Sequence, residues 1–265
     1  MNISNYDDIL TTLNEVRGDF HKVTSEFKYI LEEPISLYFD LNKLIGFVAE
    51  EGDDEINIGQ VCLTAFRRVI SSFVLLESGF SFEASIVLRN AIELILIGID
   101  ITYKKDSLKQ WIETLDDNLE ENGDWYFKAR KIYYRVMNDK TNQIYPQDVR
   151  ESVILEKTDK GNGIFEEWKR ISNVSLHAHS KAQIIPLFYK KGEFLLFTKK
   201  NPNDYKTDFY QLRNYIMNII SILRFIPKYV ERLHEREVFF EQTKDIVNRF
   251  MNIQDKMKKE YQYVI

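Results

Sequence analysis

The chain has 265 residues, 44% of them hydrophobic and 29% charged, with a formal net charge of −5. That balance excludes a disordered segment and excludes attraction of nucleic acid by the chain as a whole, so such binding would need a local basic patch. A single cysteine, Cys62, excludes an internal disulfide framework and suits a reducing compartment, with small core filler as its expected role.

Ten Gly and five Pro over this length favour long helices over a many-turned β fold. Residues 6–32 place Ile9, Leu13, Val16, Phe20, Val23, Phe27, Ile30 and Leu31 at helical spacing, and Pro34 is expected to end that helix. A second helix is expected over 35–50, followed by a solvated acidic loop over 50–55. Two central helices, about 56–78 and 82–103, join at Gly79 and read as an antiparallel helical hairpin. The second of these is apolar on nearly every side, which predicts a buried central helix.

Further helices are expected over 107–121, 124–138, 147–156 and 164–179, with Gly161-Asn162-Gly163 separating the last two. The period then changes. Apolar runs at 184–189 and 194–198 flank Lys190-Lys191-Gly192-Glu193 and predict a β-hairpin over 184–198, with Pro186 on an edge or at a strand start. Asn201-Pro202-Asn203-Asp204 resets the chain into a helix over 205–233, kinked at Pro227. A last amphipathic helix over 237–261 carries Val238, Phe239, Ile246, Phe250, Met251 and Met257. No Gly/Ser/Pro-rich linker divides the chain. The expected architecture is therefore mainly α: one domain over 1–265, with N-terminal helices (1–55), a central bundle (56–180), an inserted β-hairpin (181–200) and long C-terminal helices (205–265).

The N-terminus shows no basic start followed by an apolar run, so no secretory signal is expected. The most apolar stretch, 91–101, is interrupted by Glu93 and Asp100 and is shorter than the roughly 20 residues a span needs. It reads as core. The expectation is a cytoplasmic protein with no membrane partner.

Two constellations carry candidate chemistry. Arg89-Asn90-Ala91-Ile92-Glu93 puts an arginine, an amide and a carboxylate inside the greasy helix, and Arg89 and Glu93, four apart, share a face. A buried charge needs a partner or a cavity, so the pair is either a structural ion pair that fixes helix register or the wall of a polar pocket. The second constellation runs from Trp168 through Arg170 and Ile171 to Ser180. There Arg170, Val174 and His177 share one helical face, and Ser172, Ser175 and His179 form a neighbouring polar line. Histidine titrates near neutrality and serves as general base or acid; arginine offers a permanent fork of donors to a phosphate.

His177 and His179, two apart on a helix, diverge, whereas ligation from one helical face wants spacings of three or four. No Cys cluster or His-Glu-x-x-His run accompanies them, so no metal and no cofactor is expected. Lys128, Lys131 and Arg135 interleave with Trp125, Tyr126, Phe127, Tyr133 and Tyr134. That stretch is either an RNA-binding stripe or an amphipathic helix whose cations cover its aromatics. Gly-rich phosphate loops, Gly-x-Ser-x-Gly elbows and dinucleotide fingerprints are absent from the sequence.

The Arg89-to-Glu93 pattern on a buried helix, followed by a serine-bearing helix ending in histidine, resembles the HEPN class of helical domains and related bacterial helical families of unknown function. The likeness spans about residues 60–230, and its specific parts are these two short motifs. HEPN ribonucleases carry an arginine and a histidine separated by four to six residues at a helix end; Arg170 and His177 have six between them. Active members usually place a polar residue after the arginine, where this chain has Ile171. The resemblance implies a metal-independent endoribonuclease in a phage-defence or toxin–antitoxin setting. His177 would be the general base on the ribose 2′-hydroxyl, Arg170 would stabilise the phosphorane, and the site would form across a homodimer. Arg89, Asn90, Glu93, Ser172, Ser175 and His179 would form the supporting polar cluster. The alternative is a non-enzymatic helical adaptor, in which the same cluster holds the bundle together and the C-terminal helices bind a protein partner or a second copy.

Overall fold

The computed structural model describes residues 6–48, 54–103, 105–112, 189–190, 193–194, 200–225 and 233–263. These are almost wholly helical: α1 (Tyr6–Thr24), a 3₁₀ turn (Ser25–Phe27), α2 (Tyr29–Val48), α3 (Asp54–Glu77), α4 (Ser81–Tyr103), α5 (Lys105–Ile112), α6 (Pro202–Phe225) and α7 (Leu233–Tyr263). The fold is mainly α.

Gly79 is the pivot of the central hairpin. It adopts φ 80°, a left-handed conformation that costs glycine nothing. Its N–H bonds the Leu76 carbonyl at 3.1 Å and the Phe80 N–H bonds the Leu75 carbonyl at 2.8 Å, the paired geometry that closes a helix C-terminus. The Phe80 carbonyl accepts from the Ala84 N–H at 2.9 Å and starts α4 at once. So short a turn forces α3 and α4 antiparallel, and they form the most extensive helix pair described.

The all-apolar character of α4 resolves into two halves. Residues 95–102 are buried without a break, so that half is enclosed on every side, Asp100 and Thr102 included. The N-terminal half is one-sided: Ala84, Leu88, Ala91 and Ile92 face the core, and Ile86 is 38% exposed.

Around the hairpin, α6 packs on α2, α3 and α4, and α7 lies along α2. In α7 the buried residues Phe239, Thr243, Ile246, Phe250, Ile253 and Met257 alternate in steps of four and three, a narrow seam for one neighbour. Arg249 reaches Asp40 at 2.7 Å and Lys256 reaches Glu33 at 3.3 Å, which sets α7 antiparallel to α2. An aromatic cluster ties the N-terminus to α6: Phe20 meets Tyr205 edge-on at 5.0 Å and also contacts Phe73 of α3 and Phe209.

Several expected boundaries move. Pro34 does not end the first helix; α1 stops at Thr24, and Pro34 lies inside α2. The start of α2 is set by the Lys28 carbonyl, which accepts from Leu31 and Glu32 at 3.0 and 3.1 Å. Pro34 therefore comes early in α2, where its missing N–H removes one bond from a ladder that tertiary packing of Leu31, Leu37 and Leu41 sustains. Asp54 and Glu55, expected in a loop, lie in the first turn of α3. The last helix begins earlier than expected, at Leu233.

Of the hairpin expected over 184–198, the described residues are Tyr189–Lys190 and Glu193–Phe194, which pair antiparallel as Tyr189↔Phe194 and Lys190↔Glu193. Two residues a side do not make a hairpin of the expected length. The remainder of that range, the helices expected over 124–138, 147–156 and 164–179, and Pro227 lie outside the described residues.

Candidate functional site

Arg89 and Glu93 lie on α4 where its buried face turns toward its exposed one. The guanidinium Nη2 and the Glu93 Oε1 are 2.8 Å apart, with side chains 15% and 14% exposed. Helical spacing brings them together, and near-burial makes the pairing obligatory. Asn90, one residue on, is exposed and stands apart from the pair. The ion pair spans one turn of α4 and ties Arg89 to Glu93 on the same side of the helix. Arg170, Ser172, Ser175, His177 and His179, and the basic residues Lys128, Lys131 and Arg135, lie outside the described residues.

Two polar groupings escaped the sequence reading. At the C-terminus of α3, Ser78 accepts from Arg17 of α1 through Nε at 3.1 Å and Nη2 at 2.9 Å, and its own hydroxyl donates to the Val74 carbonyl at 2.8 Å. Glu77 lies 3.5 Å from both Arg17 Nε and His21 Nε2. This clasp fastens α1 to the helical turn just before Gly79. The Arg17/His21 spacing of four was legible as a shared face, but nothing local announced Glu77 and Ser78 as its partners.

The second is a cleft of about 360 Å³ between the α3–α4 hairpin and the start of α6. Its walls are Ser81 and Ser85 of α4 and Asp204, Thr207, Asp208 and Gln211 of α6. Each set repeats at three- and four-residue steps, a pattern visible in sequence. That the two stripes face each other is a fact of packing. Close by, a smaller apolar hollow of about 190 Å³ opens between Phe20, Phe73, Phe209 and Ile216.

Arg213 of α6 is paired with Glu260 of α7 and its Cζ lies 4.7 Å from the Tyr210 ring centroid. Burial, then Glu260, pushes the Tyr210 phenol up to about 12. Burial holds the Cys62 thiol well above its ordinary range, so it stays protonated and inert rather than nucleophilic. Among the described residues no three His, Cys, Asp or Glu side chains gather as metal ligands. Asn57–Glu77, within α3, is long and apolar enough to cross a membrane by length and composition, a test that a core helix also passes; its Ile58, Val61, Ala65, Phe66 and Val69 are buried.

A scan of known family models finds no match to this chain, and comparisons with curated proteins and with solved structures find none either.

Proposed function

We propose that this protein is a HEPN-like helical domain that cleaves RNA without a metal ion, as an effector of a bacterial phage-defence or toxin–antitoxin system. The observation that supports the reading is the Arg89–Glu93 pair, a fixed cation and carboxylate kept under partial cover on the otherwise apolar α4. In this reading the 164–179 stretch brings Arg170 and His177 beside that flank. His177 takes the proton of a ribose 2′-hydroxyl, Arg170 neutralises the charge growing on the phosphorane, and Lys128, Lys131 and Arg135 hold the backbone phosphates. The hairpin over 184–198 is an insertion in the same single domain, leading into α6. The active form is a cytoplasmic homodimer.

Purified full-length protein incubated with total RNA in the presence of a chelator tests this directly. Cleavage is expected from the wild type and not from an Arg170→Ala/His177→Ala variant of equal helicity. RNA left whole by the wild type, or cut equally by both proteins, ends the nuclease reading.

A second reading, a non-enzymatic adaptor, is favoured by the outer face of α7. Phe240 and Met251, about three turns apart, are 51% and 43% exposed there, roughly 100° round the helix from the seam that packs on the body.

A further inference from the structure

Where α1, α2, α3 and α6 meet, the core leaves an apolar hollow of about 190 Å³. Phe20 of α1, Leu31 and Ile35 of α2, Ile70 and Phe73 of α3, and Phe209 of α6 line it. Protein interiors are close-packed, and a side chain that faces such a hollow lacks partner atoms on that side. A ligand of the right shape supplies them.

The lining decides what cannot bind. Among its polar residues, His21, Lys28 and Glu32 are exposed and so belong to the mouth. Thr24 is the buried one, and its hydroxyl donates to the Phe20 carbonyl at 2.7 Å. That proton is spent, so the interior offers a ligand no donor. A sugar, a phosphate or a nucleobase would give up its hydrogen bonds to water and gain too few in return. At the mouth Lys28 and Glu32 carry opposite charges one helical turn apart, and His21 lies 3.5 Å from Glu77. No single sign prevails there to hold an ion.

Size and shape decide what can. A cavity of about 150 Å³ walled by Leu, Ile and Phe takes up benzene, so about 190 Å³ accommodates one ring with a short substituent. Three of the walls are themselves aromatic. Phe20 and Phe73 meet at 5.8 Å and 72°, Phe73 and Phe209 at 5.6 Å and 74°, and Phe20 and Phe209 at 6.1 Å. Edge-on packing turns these rings different ways, so a further ring can join them edge-to-face, a gain that an alkyl chain does not share. Ile35, Ile70 and Phe73 are only half-buried, which gives a ligand its way in. We propose that this hollow binds a neutral monocyclic aromatic molecule, its ring among Phe20, Phe73 and Phe209 and any polar substituent left at the mouth beside Lys28 and Glu32. The site is separate from the Arg89–Glu93 flank, and its test does not involve RNA.

Titration of the full-length protein with toluene and with benzyl alcohol, followed by NMR of the isoleucine methyl groups, tests the proposal. Saturable one-to-one binding is expected, with a dissociation constant on the order of 1 mM. Nuclear Overhauser contacts should run from the ligand ring to the Ile35 and Ile70 methyls. Hexanol, a chain of similar apolar area, should bind about three- to tenfold more weakly. Ile70→Phe, which sends a ring of the protein's own into the hollow, should abolish binding while circular dichroism shows the helices intact. Phe240→Ser, which removes exposed apolar surface outside the hollow, should leave binding unchanged. If Ile70→Phe does not fold, the wild-type contacts to Ile35 and Ile70 decide alone. The proposal is overturned if neither aromatic binds saturably, if the contacts fall on other methyls, or if a folded Ile70→Phe binds as the wild type does. Hexanol binding as tightly as toluene would overturn the aromatic class, and loss of binding in Phe240→Ser would mean adsorption to exposed apolar surface and overturn the site.

Discussion

Gly98 of α4 and Ile222 of α6 meet so closely that a methyl group on Gly98 would stand 3.3 Å from the Ile222 Cδ1 and 3.7 Å from Val61 Cγ1. Three helices converge at this point, and the missing side chain is what lets α6 settle onto the enclosed half of α4. Two opposing effects then decide substitution. Alanine in place of glycine gains about 1 kcal/mol of helix propensity, and the terminal carbon of Ile222 must retreat a few tenths of an ångström. Gly98→Ala should therefore leave unfolding free energy within about 1 kcal/mol of wild type. Gly98→Leu should lower it by about 1–3 kcal/mol or more through overpacking. Urea titration followed by circular dichroism separates the two; a Gly98→Leu protein as stable as wild type would show that the helices are not held this tightly.

The Arg89–Glu93 pair lends itself to a double-mutant cycle. Arg89→Met or Glu93→Leu alone removes one member of a mostly buried ion pair and should destabilise by about 2–3 kcal/mol. The double variant should recover most of that loss, because two apolar side chains replace the pair together. RNA cleavage measured on the recovered double variant then separates roles. Retained cleavage assigns the pair to register alone, whereas a stable, inactive protein assigns it to the site.

Between α6 and α7, Arg213 is nearly buried, whereas Glu260 is a third exposed. Solvent screening reduces what the carboxylate contributes, and the Tyr210 ring keeps part of the guanidinium's company. Glu260→Gln should cost about 1 kcal/mol, and Arg213→Ala more, since it also removes packed methylenes from a site that is otherwise closed. Thermal unfolding of the two variants checks the order. A larger loss from Glu260→Gln would mean that the ion pair dominates this contact.

Alkaline pH should weaken the fold. Burial raises the Cys62 thiol above its ordinary 9.0, and burial, with Cys62 nearby, raises the Tyr38 phenol above 10.0. In each case the folded state holds its proton after the unfolded chain has released it. The stabilisation is complete below about pH 9 and declines as pH climbs toward the raised folded values, at about 1.4 kcal/mol per pH unit for each group once the unfolded form has ionised. Unfolding free energies between about pH 7 and pH 10.5 should show the decline, and Cys62→Val should flatten its earlier part. A profile identical in Cys62→Val would mean that the thiol does not contribute. At neutral pH the same burial predicts that thiol reagents react with Cys62 only after unfolding.

The helical character of this chain, its central hairpin and the pairing of Arg89 with Glu93 were all legible before any coordinates. They depend on short-range rules: apolar spacing near 3.6, a glycine free to turn left-handed at position 79, and opposite charges one turn apart. Pro34 was misjudged because propensity is a weak local preference; the burial of Leu37, Tyr38 and Leu41 outweighs the one hydrogen bond that proline withholds. The Arg17–Glu77–His21 clasp, the meeting of Gly98 with Ile222 and the polar cleft between α4 and α6 escaped for a different reason. Each joins residues more than fifty positions apart, and no periodicity within a helix says which face of which neighbour it will meet. That choice belongs to packing, where close contact among helices settles crossing and register together, and so settles which polar stripes end up opposite one another.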